Sequence, residues 1–130
     1  MKKASGILIL LLLLSSCLHG FDVDVFLEDP CVRLEMPNTS LRSSDRSWQF
    51  GYRPETGVFH AVTDDSADYF ILTPSSVPVP ESGTFEAELR WSTEKGERRK
   101  NGLAFEILKR EGDLLWLRSG NIYLVVKELY

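Results

Sequence analysis

The sequence predicts an all-β domain: a single antiparallel sandwich or small barrel of about eight or nine strands, following an N-terminal signal peptide. Three observations carry that expectation. Apolar and polar residues alternate with period two through most of the chain after residue 20, as in Phe85-Glu86-Ala87-Glu88-Leu89. Turn signals such as Pro54-Glu55-Thr56-Gly57 and Ser119-Gly120-Asn121 recur between these runs. No segment keeps a helical period over three turns.

Taken in order, Phe21-Asp22-Val23-Asp24-Val25 alternates apolar and acidic side chains and reads as a half-buried strand. Asp29-Pro30 interrupts it, and Cys31 to Met36 reads as a second strand with Val32, Leu34 and Met36 on one face. Pro37 through Asp45 is polar and reads as a loop. Trp48, Phe50 and Tyr52 alternate with polar or small residues. Pro suits the first central position of the following turn and Gly the last, so Trp48–Thr63 is expected to be a hairpin. Asp64 to Asp68 is a loop and Tyr69 to Thr73 a short strand. Pro74 to Gly83 holds three prolines after Thr73, which bars it from a central strand, and reads as a connection between sheets. Phe85, Ala87, Leu89 and Trp91 define the next apolar face, Ser92 to Lys100 a charged tip, and Leu103, Phe105 and Ile107 the return. Leu114 to Arg118 and Ile122 to Val126 complete an antiparallel meander.

The N-terminus has its own logic. Lys2 and Lys3 precede an unbroken apolar run from Ile7 to Leu14. That run is too short for a bilayer, which needs roughly 20 apolar residues, and suits the apolar core of a signal peptide. Leu14-Ser15-Ser16-Cys17 then resembles the lipobox of bacterial lipoproteins, a resemblance confined to residues 1–17. It implies that residues 1–16 are removed, that Cys17 becomes the lipidated N-terminus and that residues 17–20 are a tether to a globular domain at 21–130. Several acyl chains on one residue anchor stably, where one chain does not. The implied location is the bacterial cell envelope, membrane-anchored. Leu18 in place of an Asp directs the expectation to the outer membrane of a Gram-negative cell.

The whole chain has 15 basic and 19 acidic side chains, net −4. Loss of Lys2 and Lys3 leaves 13 against 19, or −6. An acidic domain is a poor partner for nucleic acid, whose phosphates demand clustered cations. With Cys17 acylated, Cys31 has no disulfide partner among the two cysteines, so the core alone must hold the fold.

No residue pattern points to an enzyme, a metal centre or a cofactor. His19 falls in the tether and His60 in mid-strand, on the face of Val58 and Val62; one placed His does not make a zinc site. Glu86 and Glu88 stand about 7 Å apart on one strand face, which is the arrangement of solvated carboxylates rather than of a pair flanking a bond. Asp64-Asp65-Ser66-Ala67-Asp68 starts like a calcium loop, but Tyr69 and Ser75 occupy the positions that require Gly and Glu. Arg98-Arg99-Lys100, beside Glu94, Lys95 and Glu97, reads as a locally neutralised tip, with contact to an acidic partner as the functional alternative.

The aromatic residues remain. Trp48 and Trp91 are in phase with apolar neighbours and read first as core. Trp116 shares a face with Leu114 and Arg118, and Tyr123 lies on the adjoining strand. Trp116, Tyr123, Trp48 and Trp91 are the candidate ligand-binding residues. The resulting expectation is a lipid-anchored envelope protein whose non-catalytic β-domain binds a partner or ligand. A lipocalin-like carrier of a small hydrophobic ligand is one alternative. The other is an inhibitor of an envelope-active enzyme, because Ser119-Gly120-Asn121-Ile122-Tyr123 is similar to an element of periplasmic lysozyme inhibitors.

Overall fold

The computed structural model describes residues 21–44 and 47–128. The expected signal peptide, the candidate lipidation site Cys17, the expected tether and His19 lie outside the described residues. Among the described residues the chain is nearly all β: one short helix, α1 (Val23–Glu28), and nine strands. They are β1 (Arg33–Met36), β2 (Thr39–Arg42), β3 (Trp48–Arg53), β4 (Val58–Thr63), β5 (Tyr69–Pro74), β6 (Thr84–Thr93), β7 (Gly96–Glu111), β8 (Leu114–Ser119) and β9 (Ile122–Lys127).

All nine strands form a single antiparallel sheet in the order β2-β1-β9-β8-β7-β6-β5-β4-β3. Strands β3 to β9 form an up-and-down meander, and the β1–β2 hairpin adds to its far side through β9. The sheet curls into a half-barrel, which brings Lys127 of β9 to 6.0 Å from the Phe50 ring of β3. Of the two expected architectures, sandwich and small barrel, the fold is nearer the barrel, a single curled sheet rather than two packed ones. Two register shifts put an extra residue into β7, opposite Ala87/Leu89 and at Ile107/Lys109, and such bulges bend a strand.

The alternation read from the sequence sets what lies inside. Phe59 and Ala61 of β4, Phe70 and Leu72 of β5, Ala87, Leu89 and Trp91 of β6, Phe105 of β7, Leu115 and Leu117 of β8 and Leu124 and Val126 of β9 form one buried cluster on the concave face. The expected Trp48–Thr63 hairpin is present, with Trp48 opposite Thr63 and Arg53 opposite Val58. Its turn closes through Gly57 N–H donating to Arg53 O at 2.7 Å, with Gly57 at φ 73°. Gly120 opens the two-residue β8–β9 turn at φ 60°, the conformation that a type II′ turn demands of its first central residue.

Four local expectations need correction. Residues 21–25 do not form a strand: Asp22 caps α1, its side chain accepting from Asp24 N–H at 3.0 Å and Val25 N–H at 3.3 Å. Capping satisfies donors that a lone strand would leave to water, and the helix buries Phe26 completely while Val25 stays 60% exposed. The segment after Pro37 is not all loop, since Thr39–Arg42 pairs with β1 in register. The tip is narrower than Ser92 to Lys100, because the ladder continues out to Thr93 opposite Gly96. Finally, the proline-rich connection does not cross between sheets. It joins neighbouring antiparallel strands β5 and β6 and folds over one end of the half-barrel, where Val79 enters the core and Pro80 O accepts from Arg110 Nη2 at 3.0 Å.

The half-barrel thus has unlike ends. The proline-rich connection, the β3–β4 turn and the β7–β8 turn gather at one end, which Val79 plugs. The β1–β2, β4–β5, β6–β7 and β8–β9 turns gather at the other, which is open.

Candidate functional site

The open end holds a cleft of about 840 Å³, within the roughly 300–1,000 Å³ common for small-ligand sites. Trp91, 6% exposed and part of the main core, lies where the cleft meets the core. Met36 and Leu41 of the β1–β2 hairpin add apolar wall, and Asn38, Ser40 and Asn121 add polar groups.

Strand β7 supplies the charge. Arg98 stands opposite Trp91 and Lys100 opposite Leu89, and directly paired residues share a face of the sheet. Both cations therefore belong to the concave side, where the same strand carries Leu103, Phe105 and Ile107 deeper in. Both line the cleft, are exposed, and make no ion pair among the described residues. The intervening Arg99 points to the convex face and is neutralised there, 3.7 Å from Glu88 and 3.9 Å from Glu97. A run that looks internally balanced in sequence is thus sorted by the pleat: its paired member goes outside and its two unpaired members go inside. Glu94, Lys95 and Asp68 complete the rim. Asp68 is engaged, with Ser92 Oγ at 3.5 Å and further interactions.

The four aromatic candidates do not converge. Trp91 is in the cleft wall. Trp48 packs on Phe70 across 5.8 Å, with its indole Nε1 buried and without a hydrogen-bond partner. Trp116 and Tyr123 lie on the opposite face of the sheet. Trp116 is 2% exposed beneath α1 and donates from Nε1 to Phe26 O (3.0 Å) and Asp29 O (3.2 Å). Lys109 Nζ sits 4.6 Å over the same ring and donates to Leu27 O. Tyr123 stacks on Phe21 at 4.1 Å. A ligand could reach Trp116 only by displacing α1, so the aromatic strip on β8 and β9 serves as a helix dock. The sequence hides this because the residues of the covering helix alternate apolar and acidic as a strand does.

The remaining chemistry-bearing residues are in structural roles. His60 lies across from Gly51 on the convex face. Burial, and secondarily the charge of Arg53, hold its pKa below the ordinary 6.5. Glu88 is held by Arg90 at 3.4 Å and by Arg99, so it does not form a free carboxylate pair with Glu86. In the acidic loop, Asp65 Oδ1 accepts from Thr63 Oγ1 and Ala67 N–H, which closes the turn. No group of three metal-ligating side chains occurs among the described residues. Cys31 is a free thiol whose contacts are Ser43 Oγ at 3.2 Å and Val32 O at 3.4 Å, neither of them a base. In the Ser119–Tyr123 element, Ile122 is core and Tyr123 lies under Phe21, which leaves Asn121 as its member at the cleft.

Comparison with protein-family models, with curated proteins and with solved structures gave no match to this chain, so the functional reading rests on the geometry of the cleft.

Proposed function

We propose that this chain is a cell-envelope lipoprotein, anchored through lipid on Cys17, whose non-catalytic β-domain binds a small ligand in the open end of the half-barrel. The observation that carries the binding half of this reading is the asymmetry of the ends. One end is plugged by Val79, while the other leaves an 840 Å³ cleft in which Trp91 is backed by the core. A protein that needed only a closed core would fill both ends, because apolar surface left facing water forgoes roughly 25 cal/mol per Å². The anchoring half is supported by the order of charge, apolar run, small pair and cysteine at residues 2–17.

Native mass spectrometry of the protein drawn from its own membranes tests both halves at once. The expected spectrum has an N-terminal acylated Cys17, plus a non-covalent mass that is lost on collisional activation and absent from a Met36→Glu, Leu41→Glu variant. An unmodified N-terminus at another position would overturn the anchoring. A bound mass unaffected by the double substitution would overturn the cleft as the site.

A further inference from the structure

The cleft has a second property beyond its shape. The cations on the neighbouring convex surface of β6, β7 and β8 each have a carboxylate: Arg90 with Glu88, Arg99 with Glu88 and Glu97, Lys109 with Glu111 at 3.1 Å, Arg118 with Glu106 at 2.6 Å. Arg98 and Lys100, on the concave side of the same strand, have none among the described residues, in a chain whose net charge is −4. Two residues apart on one face, they stand about 7 Å from each other, close enough for one anionic group to meet both long side chains. Below them the wall turns apolar through Trp91, Met36 and Leu41.

Resting on the ligand-binding reading above, we propose that the cleft selects an amphipathic anion: a short apolar body against Trp91, Met36 and Leu41, and a carboxylate or phosphate head held by Arg98 and Lys100. Charge complementarity is the argument. Cations left unpaired in an acidic domain lose the attraction available to their neighbours on the other face, and an anionic head restores it. The Arg98 guanidinium offers a planar fork that matches either oxyanion.

The test is equilibrium dialysis of octanoate, octyl phosphate and octanol against the full-length acylated protein in zwitterionic-lipid nanodiscs, with empty nanodiscs as the baseline. At least one anion is expected to bind about tenfold tighter than octanol, the scale of two partly exposed ion pairs. An Arg98→Ser, Lys100→Ser variant should lose that preference, and Arg99→Ser on the convex face should keep it. Both Arg98 and Lys100 are exposed and without an ion pair among the described residues, so the double variant should fold; an unchanged urea midpoint checks this. The ratio of octanoate to octyl phosphate then tells a carboxylate site from a phosphate site. Octanol binding as tightly as both anions, and lost in the Met36→Glu, Leu41→Glu variant, would overturn the anionic class and leave the cleft reading standing. No binding of any probe above empty nanodiscs would overturn both.

Discussion

Asp29 Oδ2 accepts from Arg33 Nη1 and from Arg42 Nη2, each at 3.1 Å. One carboxylate oxygen thereby ties the end of α1 to both strands of the β1–β2 hairpin. Arg33 is only 6% exposed, and its guanidinium lies 5.5 Å from the Phe21 ring centre and 5.2 Å from that of Phe26. Glu35 approaches Arg33 Nε to 3.3 Å and Arg42 Nη1 to 3.7 Å without a hydrogen bond to Nε. The helix is therefore fastened by charge at its C-terminal end and by rings along its side.

Asp29→Ala should cost about 1–3 kcal/mol, because it leaves the nearly buried Arg33 short of its best acceptor. The full pair value for a dry interior does not apply, since Asp29 is itself 28% exposed. Urea unfolding measures the loss, and an equal stability in the variant would show that the clamp is idle.

Phe26 is fully buried against Trp116 and Val125. Phe26→Ala should cost about 3–5 kcal/mol, the usual range for emptying an aromatic core site. It should also speed hydrogen exchange at the Trp116 indole N–H, which Phe26 O and Asp29 O now sequester. NMR can read both in one sample. Exchange unchanged despite lost stability would mean that α1 stays docked without Phe26.

Gly51 and His60 are paired across β3 and β4, and a Cβ on residue 51 would collide with His60 Cε1 and Nε2. The imidazole rests on the hydrogen of glycine. Gly51→Ala should destabilise by about 0.5–1.5 kcal/mol as the half-buried ring is pushed off its rotamer. In a His60→Ala background the same change should be nearly neutral, a coupling of the kind shown by residues in contact. Additive costs in the double-mutant cycle would dismiss the contact.

The same histidine sets a pH response. Its folded pKa is lowered, first by burial and then by Arg53, from an unfolded value of 6.5. The unfolded chain therefore binds the proton more readily, and stability rises with pH between the two values. The contribution is complete above pH 6.5 and is lost as pH falls through the folded value. Urea midpoints taken from pH 7.5 downward should decline more in the native chain than in His60→Gln. Parallel declines would place the response in other groups.

Tyr69 donates from its hydroxyl to Glu97 at 2.6 Å, and that hydrogen bond is the main reason its pKa is raised above 10.0. Glu97→Gln removes the charge that opposes phenolate formation, so the ultraviolet titration of Tyr69 should move down toward the ordinary value. A titration that stays in place would show that the bond does not persist in solution.

Most strands of the meander were legible because period two is written in single residues; that β5 and β6 are neighbours in one sheet was not. Trp48, Phe50 and Tyr52 alternate with polar or small neighbours, as do Phe85, Ala87 and Leu89, and a strand that alternates can bury only one face. The turn at Gly57 was legible for a similar local reason. α1 was not. Asp22-Val23-Asp24-Val25 satisfies the strand pattern, and what overrides it is an acceptor at Asp22 together with a ring at Phe26 that fits the face of β8 and β9. The neighbours that decide it are about ninety residues away in the chain, at Trp116 and Val125.

The sequence by itself determined an antiparallel β-domain, the apolar face of strands that alternate clearly, such as Phe85 to Leu89, and the N-terminal pattern that resembles a lipobox, because each is a property of neighbouring residues. Only the tertiary structure decided that the sheet curls into a half-barrel with one end plugged by Val79 and the other open. It also decided that Trp116 is a helix dock while Trp91 borders a cleft, and that Arg98 and Lys100 face inward while Arg99 is paired outside. Curvature and the coverage of each face arise from contacts between strands far apart in the chain, and no local pattern encodes them.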